Sequence, residues 1–329
     1  MKIAIDGMGG DRAPQAIVDG AVEAAREFGY ELILVGDKTI LRRELSRYRR
    51  YPDSVSVEHA SEVIAMDEPA AISVRRKRHS SIAVGIGLLK RGEADAFISA
   101  GNTGAVVCAA TLNLGLLPGV ERPGISIVFP TFTGVSMLID VGANIDPAPI
   151  HLLHYGIMSD AYSKYILGKA RPGIGLLSIG EEASKGTDFV KETHKLLEES
   201  RLNFVGNVEG RDVFTGRCDV VLCDGFVGNV VLKVAEGIGA AITKLMKSRI
   251  RNRPVAKLGA LLSKKTFIKM WKDLDYTEYG GAPLLGVDGN VIISHGSSTA
   301  KAVKNAVIRA AEFKENELNK HIIEEIESY

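Results

Sequence analysis

The chain has 329 residues, 46% of them apolar and 25% charged, an ordinary globular composition that excludes a disordered or fibrous protein. Its 41 Lys and Arg against 40 Asp and Glu leave a formal net charge of +1, so the general basic excess that nucleic-acid binding needs is absent. Three cysteines, Cys108, Cys218 and Cys223, lack paired zinc-ligand spacing, which excludes a disulfide framework and fits a reducing cytoplasm.

The first predicted element is a strand over residues 2–6 that follows Met1 directly and leaves no room for a cleavable signal. No apolar run approaches the ~20 residues of a bilayer span. A cytoplasmic protein, resting at most on the inner face of a membrane, is therefore expected. Short β-branched runs then alternate with amphipathic helical stretches, the strands falling at 31–35, 55–58, 94–99, 125–129, 136–140, 173–179, 203–208, 220–223 and 290–294. This is the βαβ rhythm of a parallel sheet, wide and with room for antiparallel members. Residues 1–329 read as a single α/β unit or as two lobes sharing one sheet.

Most of these strands end in small and polar residues just before a helix, which is where open α/β sheets place ligands. The clusters are Asp6-Gly7-Met8-Gly9-Gly10-Asp11, Ser99-Ala100-Gly101-Asn102-Thr103-Gly104, Asp140-Val141-Gly142-Ala143-Asn144, Ser178-Ile179-Gly180-Glu181-Glu182, Asp224-Gly225-Phe226-Val227-Gly228-Asn229 and His295-Gly296-Ser297-Ser298. Residues 226–272 differ from the rest. Val227, Val231, Val234, Ile238, Ile242 and Leu245 recur at helical spacing. Pro254 interrupts, and a second helix runs through Leu258, Leu261, Leu262, Phe267, Ile268 and Trp271. Every charge from Lys244 to Lys272 is positive, including Arg251, Arg253, Lys257, Lys264, Lys265 and Lys269. A basic amphipathic helical hairpin is predicted, to meet an acidic carrier protein or a membrane.

A Gly-rich turn opening a helix aims backbone N–H groups at an anion, and phosphate is its natural guest. None of the clusters carries the dinucleotide fingerprint or the Gly-Lys-Ser/Thr of a Walker A loop, so nicotinamide dinucleotide and ATP are disfavoured. A single such turn is more often plain turn geometry; several at one sheet edge point to a site. The candidate phosphate-binding residues are Asp6, Gly7, Gly9, Gly10, Ser99, Gly101, Thr103, Gly104, Asn144, Gly228 and Ser297. Neutral amide and hydroxyl donors suit a carbonyl that becomes an oxyanion, because fixed dipoles stabilise charge as it develops. Asn102 and Asn229 are candidate catalytic donors, Lys185 the candidate phosphate-neutralising cation, and His295 a hydrogen-bonding or acid group. Asp6, Asp11, Asp140 and Asp224 are expected to orient backbone, since a carboxylate facing phosphate repels it. The run Arg75–His79 reads as a solvated face, Cys108 as a small core residue, and His151, His154 and His194 lack metal-ligand spacing, so no metal is assigned.

With residues 6–11, 99–105, 140–144, Asn207-Val208-Glu209-Gly210, 224–229, 278–286 and His295-Gly296 in this order, the whole chain resembles the acyl-carrier-protein:phosphate acyltransferase family of bacterial glycerolipid synthesis, often called PlsX. The resemblance implies a three-layer α/β/α fold with a mostly parallel sheet, related to phosphotransacetylases and to isocitrate and isopropylmalate dehydrogenases. It also implies a homodimer without metal or nucleotide cofactor. The implied reaction passes a long-chain acyl group from acyl carrier protein to inorganic phosphate. The acyl phosphate then goes to a membrane-embedded glycerol-3-phosphate acyltransferase, so contact with an anionic membrane surface is expected. The same residues admit two other readings, a short-chain phosphotransacetylase using coenzyme A and a non-catalytic membrane-docking scaffold.

Overall fold

The protein, described by a computed structural model over residues 1–251, 253–267 and 280–329, is built on one eleven-stranded sheet. In chain order the first half supplies β1 (Lys2–Asp6), α1 (Gln15–Phe28), β2 (Glu31–Gly36), α2 (Lys38–Leu45), β3 (Val55–His59), α3 (Ala70–Arg76), α4 (Ser81–Lys90), β4 (Ala96–Ser99) and α5 (Thr103–Asn113). The middle supplies β5 (Gly124–Thr131), β6 (Gly134–Ile139), α6 (Pro149–Tyr165), β7 (Ile174–Leu177), α7 (Asp188–Glu198), β8 (Phe204–Val208) and β9 (Val220–Leu222). The end supplies α8 (Gly225–Arg251), α9 (Pro254–Leu262), β10 (Ala282–Leu285), β11 (Val291–Ile293), α10 (Ala300–Glu315) and α11 (Leu318–Glu327).

Side chains alternate across the strands, and each face therefore builds its own core. Ile3, Ile5, Leu32, Leu34 and Ile139 pack with Val18 and Val22 of α1, Tyr155 of α6 and Val303 and Val307 of α10. Ala4, Ile33, Val35, Phe97 and Leu138 pack on the opposite side with Ile82 and Ile86 of α4 and Val106 and Ala110 of α5. The result is the expected three-layer α/β/α sandwich.

Strand order is β3-β2-β1-β4-β11-β10-β5-β6-β9-β7-β8. The sheet is parallel on both flanks and antiparallel where β10 meets β11 and β5, and where β5 meets β6. Strand direction thus reverses across the middle, so the two parallel sets run in opposite senses. Register decides what this does. Ala282 lies opposite Ile293, Leu284 opposite Ile125, and the next residue, Ser126, opposite Ile139. The last residues of β11 and β6 therefore lie within one residue of the same level, about 3 Å along the strands. Carboxyl ends from both halves converge at the centre of the sheet, where an open α/β fold places its ligand.

One expected strand, 173–179, is trimmed to Ile174–Leu177, leaving Ser178 and Ile179 in the following loop. β10 answers to none of the expected strands, for it is four residues long and contains Pro283, whose kind usually marks a run as non-strand.

The hairpin begins at Gly225 and breaks before Pro254, and its second helix ends at Leu262, with a turn at Ser263, instead of running on unbroken through Phe267; Ile268, Lys269, Trp271 and Lys272 lie outside the described residues. At 27 residues, about 40 Å, α8 is long and apolar enough by length and composition to cross a bilayer, contrary to the expectation that no run is. Its Lys and Glu residues are spread singly among Gly, Ala, Val and Ile, which hides the apolar length from a search for uncharged runs. Only its first turns are anchored: Gly225 and Gly228 are buried and Val231, Leu232 and Ala235 lean on the core, whereas Ile238, Ile242 and Leu245 are exposed.

Candidate active site

A cleft of about 280 Å³ opens where the two sets of carboxyl ends meet. Ile125, Ile127, Val141 and Ile293 form an apolar floor, and Thr103 and Gly104 enter from the N-terminus of α5. Asn229 and Lys233 enter from α8, and Ser294, His295 and Ser298 from the segment after β11. Asn229, Leu232, Lys233 and Glu236 follow the i, i+3, i+4, i+7 pattern of one helix face, which explains why they share a side of α8. Asn229 is exposed at the cleft, with no side-chain hydrogen bond among the described residues, and the buried Ser294 hydroxyl has no partner among them.

Lys233 Nζ lies 2.9 Å from Glu236 Oε2 and 3.3 Å from His295 Nε2, and His295 Nε2 lies 3.5 Å from Glu236 Oε1. On the other side of the ring, His295 Nδ1 accepts the Ser297 N–H at 3.1 Å and lies 2.7 Å from Ser297 Oγ. Accepting at Nδ1 leaves the proton of a neutral imidazole on Nε2, the nitrogen that faces Lys233 and Glu236. Cleft, ammonium and imidazole N–H thus meet at one mouth.

Helix N-termini supply fixed positive dipole. Asn102 caps α5 by accepting the Ala105 N–H at 3.0 Å, while the N–H groups of Thr103 and Gly104, ahead of it, have no intrahelical acceptor. Asp224 caps the start of α8 through the Val227 N–H at 2.8 Å, and Thr299 caps α10 through the Ala302 N–H at 3.3 Å. The cap side chains thus take inner N–H groups and leave the outermost ones at α5, on two residues that line the cleft, without an intrahelical acceptor.

The expected oxyanion donors separate on inspection. Asn102 is fully engaged, because besides capping α5 its Nδ2 donates to the carbonyls of Ala65, Met66 and Glu68 at 3.0–3.2 Å. Asn144 Nδ2 donates to Pro123 O at 2.6 Å and to the Tyr155 hydroxyl at 2.7 Å. Both amides hold turns in place and have no donor left for a substrate. Lys185 is exposed on the loop after β7 and does not line the cleft, so the cation at the mouth is Lys233 instead. Thr103, Gly104, Asn229 and His295 do line it, with Ser297 against the imidazole.

The first Gly-rich cluster has a structural purpose. A Cβ at Gly9 would lie 2.4 Å from Asp6 Oδ2 and 2.6 Å from the Gly101 N, so this turn packs directly on the 99–101 turn. Asp6 accepts from Ser99 Oγ at 2.7 Å and from the Met8 N–H at 3.1 Å. Hence Asp6, Gly7, Gly9, Gly10, Ser99 and Gly101 are scaffold beneath the cleft, absent from its lining. Gly228 is another such residue: a Cβ there would sit 1.9 Å from Asp140 O, so only glycine lets α8 start against that turn.

Asp140 holds the opposite wall by accepting the N–H groups of Ile125, Gly142, Ala143 and Asn144 at 2.6–3.1 Å. Burial pushes the Asp6 and Asp140 carboxyls above their usual range, and these hydrogen bonds pull the other way. The two aspartates orient backbone, as expected of them. Cys218 and Cys223 are buried, and burial pushes the Cys218 thiol up to about 12 and Cys223 upward as well. Among the described residues no group of three His, Cys, Asp or Glu side chains could hold a metal ion.

Comparison with known proteins agrees with this geometry. Residues 1–321 match the family model described as fatty acid synthesis protein. A phosphate acyltransferase of Geotalea uraniireducens is 47% identical over 99% of this chain and 94% of its own, and one of Pelotomaculum thermopropionicum is 50% identical over 100% and 96%. Among solved structures, a phosphotransacetylase from Streptococcus pyogenes superposes with a TM-score of 0.66 at 19% identity, covering 94% of this chain and 93% of that one. A 4-hydroxythreonine-4-phosphate dehydrogenase from Klebsiella pneumoniae gives 0.52 at 14% identity over 95% and 99%. The last two likenesses concern the fold alone.

Proposed function

The chain belongs to the fatty acid synthesis protein family, and from that premise we propose that its central cleft is the active site of a phosphate acyltransferase that moves a fatty acyl group from acyl carrier protein to inorganic phosphate. The observation that carries this reading is the convergence of α5's outermost N–H groups, the free Asn229 amide, Lys233 and His295 on one cleft. Phosphate docks at the Thr103 and Gly104 N–H groups with Lys233 offsetting its charge. One phosphate oxygen attacks the thioester carbonyl carbon; the new C–O bond forms and the carbonyl oxygen takes the electron pair. Asn229 Nδ2 and the Ser294 hydroxyl are the donors for that oxyanion. As the oxyanion collapses the C–S bond breaks, and the departing thiolate takes a proton from the Lys233–His295 pair, which regains one from the attacking hydrogen phosphate. Phosphate is anionic at neutral pH, so no side-chain nucleophile is required, and no cysteine lines the cleft.

Substitution tests the cleft. Lys233→Met and Asn229→Ala each lower kcat/KM for palmitoyl acyl carrier protein by about 100-fold, while Lys185→Ala leaves it unchanged and all three melt like the parent. Full activity in Lys233→Met and Asn229→Ala would remove the cleft as the site.

The homodimer, the membrane contact and the cytoplasmic location belong to the same proposal. The exposed stripe of Ile238, Ile242 and Leu245 on α8 supports pairing with a second copy, and the Arg251, Arg253, Lys257, Lys264 and Lys265 cations support docking to acidic carrier protein or an anionic leaflet. Docking there would release acyl phosphate beside a membrane-embedded glycerol-3-phosphate acyltransferase.

A further inference from the structure

Beside the cleft lies a second depression of about 390 Å³, and the two share Gly104 and Gly142 in their walls. One side is a face of α5, where Gly104, Val107, Cys108, Thr111 and Leu112 recur at helical spacing over about 12 Å. Ala70 faces it from α3, and Pro123 and Ala143 from the opposite wall. The side-chain donors in the middle of this groove are already engaged within the protein. Thr111 Oγ1 donates to Val107 O at 2.8 Å, and both Asn144 donor bonds go to Pro123 O and Tyr155. Charge enters only at the far end, where Glu121 faces His151 at 3.2 Å and Arg122 stands beside it. The surface left between is aliphatic carbon and one thiol, and Leu112 on its lip is 58% exposed.

The residues shared by the walls of cleft and groove, Gly104 and Gly142, are both glycines, so neither puts a side chain between the two. A Cβ at Gly104 would sit 3.0 Å from the Ala70 Cβ, and Gly142 has φ +137°, a conformation other residues rarely adopt. We propose that this groove is the acyl-chain subsite. The thioester carbonyl sits at Asn229 and Lys233, and the hydrocarbon passes between Gly104 and Gly142 to lie along α5. The inference rests on the acyltransferase reading and adds the determinant of chain length. A hydrocarbon chain is the matching occupant because the groove between Gly104 and its charged far end is lined mainly by aliphatic carbon, where each methylene buried raises affinity about fourfold.

Cys108 provides the test, since it is half-buried in the groove while Cys218 and Cys223 are buried elsewhere. The full-length protein is alkylated with N-ethylmaleimide in phosphate-free buffer, where no acyl transfer occurs, and adducts are followed by mass spectrometry. Palmitoyl acyl carrier protein at about ten times its Kd slows modification of Cys108 about tenfold, and butyryl acyl carrier protein, equally saturating, leaves it unchanged. Equal protection by both donors, or by neither, overturns the proposal. As a second measure, Cys108→Trp lowers the palmitoyl-to-butyryl ratio of kcat/KM about tenfold or more; an unchanged ratio in a folded variant counts against the groove. Turnover by the same preparation on adding phosphate separates the two claims. Turnover with chain-independent protection sinks the groove alone, and absence of turnover sinks the acyltransferase reading.

Discussion

Glu68 holds up the α5 side of the cleft although it is distant from the chemistry. Its carboxylate accepts from the Ala65 N–H at 2.9 Å and the Ser73 hydroxyl at 2.8 Å and pairs with Lys77, while its carbonyl receives the Asn102 amide at 3.0 Å. The Lys77 hydrogen bond, then those from Ala65 and Ser73, lower its pKa from 4.5 to about 2. A carboxyl lowered on folding stabilises fully above its unfolded value, and that contribution is lost as pH falls through its folded one. The melting difference between the parent and Glu68→Gln is therefore largest at neutral pH and shrinks as pH falls from 4.5 toward about 2. A difference that does not change with pH would contradict this account. At this scale the sequence was partly legible. Asp6, Asp140 and Asp224 do accept backbone N–H groups, because a carboxylate next to a run of turn N–H groups has few other uses, whereas Asp6 as a phosphate-binding residue was a misreading. The amides were not legible: Asn102 and Asn229 look alike in sequence, yet one is a cap and the other has no side-chain hydrogen bond among the described residues. Lys233 was passed over among the charges of the hairpin, although its place four residues after Asn229 was the available signal.

The hairpin α8–α9 joins the site to the surface, since α8 carries Asn229 and Lys233 in its first turns and an exposed apolar stripe beyond Ala235. Each Lys or Arg near an anionic leaflet contributes about 1 kcal/mol at most. Changing Lys264, Lys265 and Lys269 together to Glu should therefore weaken flotation with phosphatidylglycerol vesicles by about 100-fold, leaving flotation with neutral vesicles unchanged. Undiminished flotation with the anionic vesicles would remove the hairpin's membrane role without touching catalysis. The hairpin was legible because helical periodicity and a single proline are local signals. β10 was not, because strand Ala282–Leu285 exists only through its neighbours β11 and β5, which no local pattern reports.

At the scale of the molecule, function follows from the antiparallel seam in the sheet. Without the reversal at β10, β5 and β6, the carboxyl ends of the two parallel sets would not come to one level, and Thr103, Asn229 and His295 would not share a cleft. The α/β class was readable from the alternation of strands and helices, and clusters at strand ends pointed to the edge where the cleft lies. Which clusters meet could not be read, because that depends on strand order and register set by long-range pairing. The most direct test is phosphate-dependent release of carrier-protein thiol from palmitoyl acyl carrier protein, with the product trapped by hydroxylamine and acetyl-coenzyme A run as a parallel donor. The account predicts release that requires phosphate, a trapped palmitoyl product, and little turnover of acetyl-coenzyme A. Release without phosphate, or turnover of acetyl-coenzyme A but not of the carrier-protein donor, would contradict it.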